Sequence, residues 1–326
     1  MTRVLFLLTL SMQLFAHKVI TPQQHSNAPN PWFTGPLLCP SDVVVTRGHF
    51  NFEPYVYFTA NTGAYNSHGK VVEARNTLWS TSIQPVLSVG LTKWMDMQIV
   101  PGVAYNSIKH HDQWVFQDFI FTLDFQLLKP RHIDDWYPFI KFLITEMFPT
   151  GKYQHLNPKK LGVDIGGTGS YRTATGFVLG KLFQVHCAHF LNTRLSLQYE
   201  LPAPVHLHGF NAYGGSFDTN ARFFPGQNFE ADLGLEYTLS KHWVIACDFV
   251  GLWTGKPHFS GNPGTTPLGT PAPLGAPGFS IQYSMAPAIE YNWSANLGAI
   301  AGCWFTFAGK NAGRFWSAVA AFNYYR

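Results

Sequence analysis

Polar and apolar residues alternate with a period of two through much of this chain, and the pattern is clearest over residues 191–201. Leu191, Leu195 and Leu197 fall on one side, whereas Arg194 and Gln198 fall on the other. A β-strand with this pattern has one apolar face and one polar face. The segments are roughly eleven to fourteen residues long, which suits a tilted membrane-spanning β-strand.

About twelve such segments follow one another, an even number that is typical of bacterial outer-membrane barrels. We therefore predict an all-β fold, a transmembrane antiparallel up-and-down β-barrel. The predicted strands cover residues 50–60, 79–92, 94–106, 114–127, 136–148, 170–183, 188–201, 227–240, 242–254, 279–292, 294–308 and 315–326.

The connections between these segments alternate in length. Those after the odd-numbered strands are mostly long, at residues 61–78, 107–113, 149–169, 202–226 and 255–278, with a shorter one at 309–314. The intervening turns are short. Long outer loops and short inner turns are typical of a bacterial outer-membrane barrel whose termini are periplasmic, and we predict that orientation. Since residues 255–278 are rich in Pro, Gly and Thr, we expect them to form neither strand nor helix.

The N-terminus predicts secretion. Arg3 precedes an apolar stretch over residues 4–15, and Ala16 is a candidate cleavage position. This pattern indicates a signal peptide over residues 1–16. The predicted organisation continues with an N-terminal periplasmic segment over residues 17–49 and the barrel over residues 50–326. The chain contains no run of eighteen apolar residues, so a membrane-spanning helix is not expected.

Composition supports the barrel. Hydrophobic residues make up 46% of the chain and aromatic residues 16%, but charged residues only 12%. Aromatic girdles at the two membrane interfaces would account for this balance. The formal net charge of +4 is small and scattered, so nucleic acid is not an expected partner. The expected partners are outer-membrane lipid, a small-molecule solute and the barrel-assembly machinery during insertion.

The polar faces carry the candidate functional residues. The basic residues expected in the lumen are Lys141 and Arg194, and the acidic set is larger: Glu53, Asp96, Asp118, Asp124, Glu200, Glu230, Asp232, Glu236, Asp248 and Glu290. An acidic lumen favours neutral or cationic solutes over anions. Alternatively, these side chains form a hydrogen-bonded plug, because a barrel of this size is narrow enough to be filled. Among the acids, Asp118, Asp232 and Asp248 lie well inside their segments and are expected deep in the wall.

Three short motifs resemble a known family. The turn over residues 89–97, the run Phe148-Pro149-Thr150-Gly151 and the run over residues 166–170 are similar, in the same order, to motifs of the MetA-pathway phenol-degradation family of outer-membrane proteins. The resemblance implies a barrel that admits small, often hydrophobic molecules, and it brings no catalytic residues. The motifs themselves predict turn architecture rather than ligand contact.

The long loop over residues 202–226 is aromatic for an exposed segment. We expect its aromatic residues to mark where a hydrophobic solute enters the barrel: Phe210, Tyr213, Phe217, Phe223 and Phe224. The predicted function is therefore an outer-membrane transport barrel for small neutral, hydrophobic or cationic molecules. The alternative is a closed structural barrel that acts through its outer loops, and an outer-membrane hydrolase is a weaker one.

Enzyme chemistry finds little support in the sequence, which shows no consistent Ser/His or Asp/His pair at the barrel rim. No catalytic residue, cofactor or metal site is predicted, and the histidines at 110–111 and at 206 and 208 fit solvated loops better than ligands. Cys247 and Cys303 share the register of apolar positions and are expected to face lipid. A disulfide between Cys39 and Cys187 is one option in an oxidising compartment.

Overall fold

The computed structural model describes residues 31–186 and 188–326, so the predicted signal peptide lies outside the described residues. The described chain is built from β-strands: β1 (Phe50–Tyr65), β2 (Val71–Gly90), β3 (Met95–Val100), β4 (Val103–Ile108), β5 (His111–Phe116), β6 (Phe119–Leu128), β7 (Phe139–Phe148), β8 (Arg172–His186), β9 (His189–Pro202), β10 (Val205–His208), β11 (Asn220–Phe224), β12 (Asn228–Thr238), β13 (Trp243–Thr254), β14 (His258–Asn262), β15 (Ser280–Ser294), β16 (Leu297–Lys310) and β17 (Ala312–Tyr325).

Twelve antiparallel wall strands form a closed barrel, as the sequence predicts. The barrel closes where β1 pairs with both β17 and β2. Two wall strands are interrupted: β3 continues as β4 after residues 101–102, and β5 continues as β6 after residues 117–118. The interruptions face each other, and the Gln117 N–H donates to the Gly102 carbonyl at 2.9 Å. Closure gives β1 a partner strand on each side, so no free edge remains where the two ends of the sheet meet, as a membrane requires.

Side chains alternate between the two surfaces of the wall. In β13, Trp243, Ile245 and Phe249 are exposed on the outer surface, whereas Val244 and Asp248 are buried inside. Lipid contact explains why large apolar side chains remain exposed outside without a protein partner. Cys303 is also exposed and Cys247 is half-buried, in the registers that the sequence predicts to face lipid.

Aromatic side chains gather at two levels of the outer surface. Near one end, the rings of Trp243 and Tyr291 lie 4.7 Å apart, and those of Tyr291 and Trp293 lie 5.1 Å apart. Toward the other end, Trp79 contacts Phe58 and Trp316 at 5.1 and 5.7 Å. Two aromatic levels separated by an apolar band match the girdles of a membrane barrel.

The connections differ from the sequence prediction in two places. Residues 61–78 are mostly strand, since β1 and β2 extend beyond the other wall strands as a hairpin that turns at residues 66–70. Residues 255–278 contain β14, although Pro and Gly flank it. Three connections are long, at residues 149–171, 203–227 and 255–279, and all leave the same end of the wall. We call this the long-loop end and the opposite end the short-turn end.

Two of the long connections fold into a small sheet above the wall, which we call the cap. It contains β10, β11 and β14 in antiparallel order. One face of the cap packs Val205, Leu207 and Phe223 into a hydrophobic core with Leu274. In the described residues, no helix is long and apolar enough to cross a membrane.

Candidate functional site

Part of the predicted periplasmic segment lies inside the barrel. We call residues 32–48 the lumen segment. The Trp32 ring contacts His242 at 5.2 Å at the short-turn end, and the Gly48 N–H donates to the Gly90 carbonyl at 3.2 Å at the same end. Between these points the segment rises to Leu37, which is buried among interior wall residues. The described part of the segment therefore enters and leaves the lumen at one end, and the periplasmic position of residues 17–49 stays a prediction.

Backbone N–H groups of the lumen segment donate to wall carboxylates. The N–H groups of Leu37 and Cys39 reach the two Asp248 carboxylate oxygens at 2.9 and 3.0 Å, and that of Leu38 lies 3.3 Å from the first. Glu290 accepts a hydrogen bond from the Thr34 N–H at 2.8 Å. A segment without secondary structure has no partners of its own for these donors, and leaving them buried and unpaired would be costly. The carboxylates therefore accept the backbone hydrogen bonds that a neighbouring strand would accept in a sheet.

Asp96 plays the same role near the short-turn end, where it accepts a hydrogen bond from the Val45 N–H. Ion pairs link the segment to the wall more deeply in the lumen. The Arg194 guanidinium lies 3.2 Å from the Asp42 carboxylate and 3.5 Å from that of Glu236. Removing either partner of such a pair would leave a buried charge uncompensated. These contacts fix the segment at several depths.

The wall also makes room for the segment. Gly180 faces Asp42 so closely that a Cβ atom at this position would lie 1.8 Å from the carboxylate Oδ2. At Gly90, an added Cβ would lie 2.1 Å from the Thr46 carbonyl oxygen. Any side chain at either position would displace the segment, since atoms do not approach to such distances.

The predicted acidic set divides into groups with different partners. Asp96, Asp248 and Glu290 bind backbone N–H groups of the lumen segment. Glu236 pairs with Arg194, which also pairs with Asp42 of the segment. Asp232 is buried on the same strand as Glu236, and Asp124 pairs with Lys141 at 3.2 Å. Glu200 pairs with Arg172, Glu53 accepts hydrogen bonds from Asn51 and Asn323, and Glu230 is half-buried. Their predicted role in ion selection stays a prediction.

Asp118 is not deep in a continuous strand, contrary to expectation. It lies at the interruption between β5 and β6, where its carboxylate accepts hydrogen bonds from the N–H groups of Gly151 and Thr168 at 2.9 and 2.8 Å and from the Thr168 hydroxyl at 3.1 Å. The loop over residues 149–171 is thereby tied to the wall. Two of the family-like motifs meet here, one from each end of that loop.

A cavity of about 190 Å³ opens beside Asp118 on the long-loop side of the lumen. Val100, Ile120 and Met147 give it an apolar side, whereas Gln84 and Gln117 give it a polar side. Residues 166–168 form its roof. Sequence reasoning missed this site. The strand interruption that creates it lies in a segment whose polar and apolar residues alternate regularly, so the sequence predicted one continuous strand.

The predicted aromatic residues do not form one surface. Phe223 is buried in the cap core, where Tyr213 packs against it at 4.3 Å between ring centres, and burial raises the pKa of Tyr213 to about 12. Phe217 is 75% exposed, and Phe210 and Phe224 are half-buried. Phe223 and Tyr213 therefore contribute to the core of the cap. The predicted role of the five residues as a solute entrance stays a prediction, although Phe223 itself is not exposed.

The cysteines and histidines of the described chain offer no metal centre. Cys39 is a free thiol buried in the lumen, with its Sγ 3.7 Å from the Asp232 carbonyl, and Cys187 lies outside the described residues. Within residues 31–186 and 188–326, no three His, Cys, Asp or Glu side chains lie together as ion ligands.

The closed wall, the apolar outer band and the polar interior define a membrane-spanning β-barrel of the outer-membrane type. A COG4313 outer membrane channel from Pseudomonas putida F1 has a similar fold, with a TM-score of 0.66 and 12% identity over 87% of this chain and 97% of that one. At such low identity the likeness concerns the fold alone.

Two other solved structures are more distant. A TodX monoaromatic hydrocarbon channel mutant has a TM-score of 0.42 at 10% identity, over 87% of this chain and 91% of its own. The translocator domain of the autotransporter NalP from Neisseria meningitidis also has a TM-score of 0.42 at 10% identity, over 84% and 88% of the two chains. These two values carry no further argument. The sequence matches no protein-family model and no curated protein.

Proposed function

We propose that this chain is a gated outer-membrane channel that admits small neutral, hydrophobic or cationic molecules. The observation that carries the proposal is the path of the lumen segment, which enters and leaves at the short-turn end and pairs with no wall strand. Because the strand-to-strand hydrogen bonds of the wall do not involve it, the segment can withdraw while the barrel stays closed on itself. The channel would then open without breaking the fold.

Charge gives the proposed channel its solute preference. Asp96, Asp248 and Glu290 would face the open lumen once the segment has withdrawn, because their present partners belong to that segment. Carboxylates around a narrow path attract cations and repel anions. Phosphates and carboxylates are therefore poor substrates under this proposal.

The proposed location is the bacterial outer membrane with periplasmic termini, with outer-membrane lipid around the wall and the barrel-assembly machinery as partner during insertion. Membership of the MetA-pathway phenol-degradation family is part of the proposal and is supported by the three motifs. A protease site inserted near Gly264 should be cut on intact cells, whereas one inserted at residues 240–241 should be protected. The reverse pattern would contradict the orientation.

Solute flux tests the function. Proteoliposomes that contain the refolded protein should swell in isosmotic erythritol, a small uncharged solute, and should swell more slowly in a small carboxylate. Empty liposomes and liposomes with heat-unfolded protein are the controls. A folded protein that admits neither solute, even when the lumen segment is deleted, would contradict a channel.

A second candidate function rests on the cap, which has its own hydrophobic core and therefore a fixed shape. A closed barrel that presents the cap to a partner outside the cell would need such a surface. This candidate predicts no flux from any variant of the protein, so the same swelling experiment separates the two functions.

A further inference from the structure

The cavity beside Asp118 has two amide groups with free hydrogen-bonding capacity. The Gln84 Nε2 donates to the Gln117 Oε1 at 3.2 Å. That single bond leaves the Gln84 Oε1 as an acceptor and the Gln117 Nε2 as a donor, with no other partner among the described residues. Both side chains line the cavity. An acceptor and a donor that line the same cavity match a group that both donates and accepts.

The rest of the cavity restricts the ligand further. Val100, Ile120 and Met147 also line the cavity, so the body of the ligand must be apolar. The volume of about 190 Å³ accommodates one ring or a short branched chain. Asp118 already accepts two hydrogen bonds from Thr168 in the roof and one from Gly151, and its remaining negative charge disfavours an anionic ligand.

The loop over residues 149–171, which carries the roof, is held to the wall. The Asn106 Nδ2 donates to the Val163 carbonyl at 3.1 Å, and the Lys160 ammonium donates to the Gln113 Oε1 at 2.7 Å. Gly102 leaves the space that Gln117 occupies, since an added Cβ would lie 2.5 Å from the Gln117 Oε1. The site is therefore preorganised, which lowers the entropic cost of binding a small molecule.

We propose that this cavity binds one small uncharged molecule with an apolar body and a hydroxyl group, held between the Gln84 Oε1 and the Gln117 Nε2. The proposal names the substrate class of the proposed channel and in that sense rests on the proposed function. The bound molecule lies between the long-loop end and the lumen segment, so the cavity is an intermediate binding site on the path through the barrel.

The test is binding of 4-fluorobenzyl alcohol to the refolded full chain, followed by fluorine NMR. Wild-type protein should show saturable binding, and 4-fluorotoluene, which lacks the hydroxyl, should bind about tenfold more weakly because two hydrogen bonds are lost. The anion 4-fluorobenzoate should not compete. Ile120→Trp, which fills the cavity, should abolish saturable binding and gives the baseline for partition into detergent. If Ile120→Trp is not heat-modifiable on a gel and therefore does not fold, Val100→Phe serves as the cavity-filling variant instead.

The double variant Gln84→Met, Gln117→Met should also bind about tenfold more weakly, whereas Gln198→Met should bind like wild type. Gln198 donates to Ser196 elsewhere on the inner wall and does not line the cavity. Absence of saturable binding to wild type, or equal affinity of the double variant and Gln198→Met, would overturn the proposal. Erythritol flux without alcohol binding would contradict only the proposed binding site. Alcohol binding without flux from any variant would contradict only the proposed channel.

Discussion

The two halves of the lumen are filled in different ways. In the short-turn half, the lumen segment occupies the space, and its backbone N–H groups are paired with Asp248, Glu290 and Asp96. In the long-loop half, the wall is interrupted, and a loop covers a cavity with two partly unpaired amides. In the first half, wall carboxylates accept hydrogen bonds from the backbone of the segment, whereas the amides of the second half keep hydrogen-bonding capacity beside a cavity. Under the two proposals above, the first half holds the gate and the second half holds the binding site.

Deletion of residues 32–48 should have the largest effect on this comparison, because it empties only the short-turn half. Ion conductance in planar bilayers should rise on the order of tenfold, since a twelve-stranded barrel is narrow and the segment fills much of its cross-section. Reversal potentials should show cation preference from the uncovered carboxylates. Unchanged conductance in a heat-modifiable variant would show that the segment does not close the path.

Leu233→Arg tests the assignment of the two wall surfaces. Leu233 lies between the inward residues Asp232 and Gly234, so its side chain points to lipid. The substitution should cost about 2–4 kcal/mol of folding free energy near the bilayer midplane. Asp232→Asn, one residue earlier, should be nearly neutral because the amide keeps the size of the carboxyl. Denaturant titration of the refolded proteins measures the folding free energy of both variants. Similar costs for the two substitutions would contradict the assignment of the two surfaces.

Asp248→Ala should loosen the lumen segment without removing it. The segment loses the acceptor of three backbone hydrogen bonds, and bonds to a charged group contribute about 1.5–3 kcal/mol each. In a background with Cys187, Cys247 and Cys303 replaced by alanine, Cys39 should react with a soluble maleimide at least about tenfold faster than in the parent. Glu230→Gln, on the inner wall without a bond to the segment, is the control. Equal labelling rates would show that Asp248 does not hold the segment.

Asp218→Asn should have the smallest effect, confined to the cap. Hydrogen bonds from the Ser216 hydroxyl and then from the Thr265 N–H lower the pKa of Asp218 to about 2. Since the folded value lies below the usual value near 3.9, the stabilisation is complete above about pH 4 and is lost as the pH falls through about 2. Amide exchange at Thr265 should therefore be faster in the variant at pH 5, and the difference should vanish near pH 2. Asp134→Asn, in a short-turn connection, should leave that exchange unchanged at every pH.

The barrel could be predicted from the sequence because period-two alternation reports directly on a wall with lipid outside and polar groups inside. Inward placement of residues such as Asp232 and Asp248 followed from the same pattern. The lumen segment could not be predicted that way, since residues 32–48 have no periodicity. A signal was present nonetheless: ten inward carboxylates face two predicted cations, and buried carboxylates need donors that the wall alone does not supply.

The long-loop half was less predictable. Strand interruptions at residues 101–102 and 117–118 leave the alternation almost intact, so Asp118 looked like any other inward acid. Its actual partners, Gly151 and Thr168, lie far along the chain, in loops whose conformation depends on tertiary contacts. Likewise, the aromatic residues of the loop over residues 202–226 gave no sign that Phe223 is core rather than surface.

The most direct test of the central claim, that the lumen segment packs against the inner wall, is a crosslink to the native Cys39. An added Cβ at Gly234 would lie 2.9 Å from the Cys39 Cβ, so a small shift of the segment brings the pair to the spacing of a disulfide. In the background with alanine at 187, 247 and 303, Gly234→Cys should form this disulfide on mild oxidation, seen as the loss of both free thiols. Leu235→Cys, which points to lipid, should leave both thiols free, with Cys39 protected from maleimide until the barrel is unfolded. The account is contradicted if Gly234→Cys stays reduced and Cys39 in the folded barrel reacts as fast as in the unfolded protein.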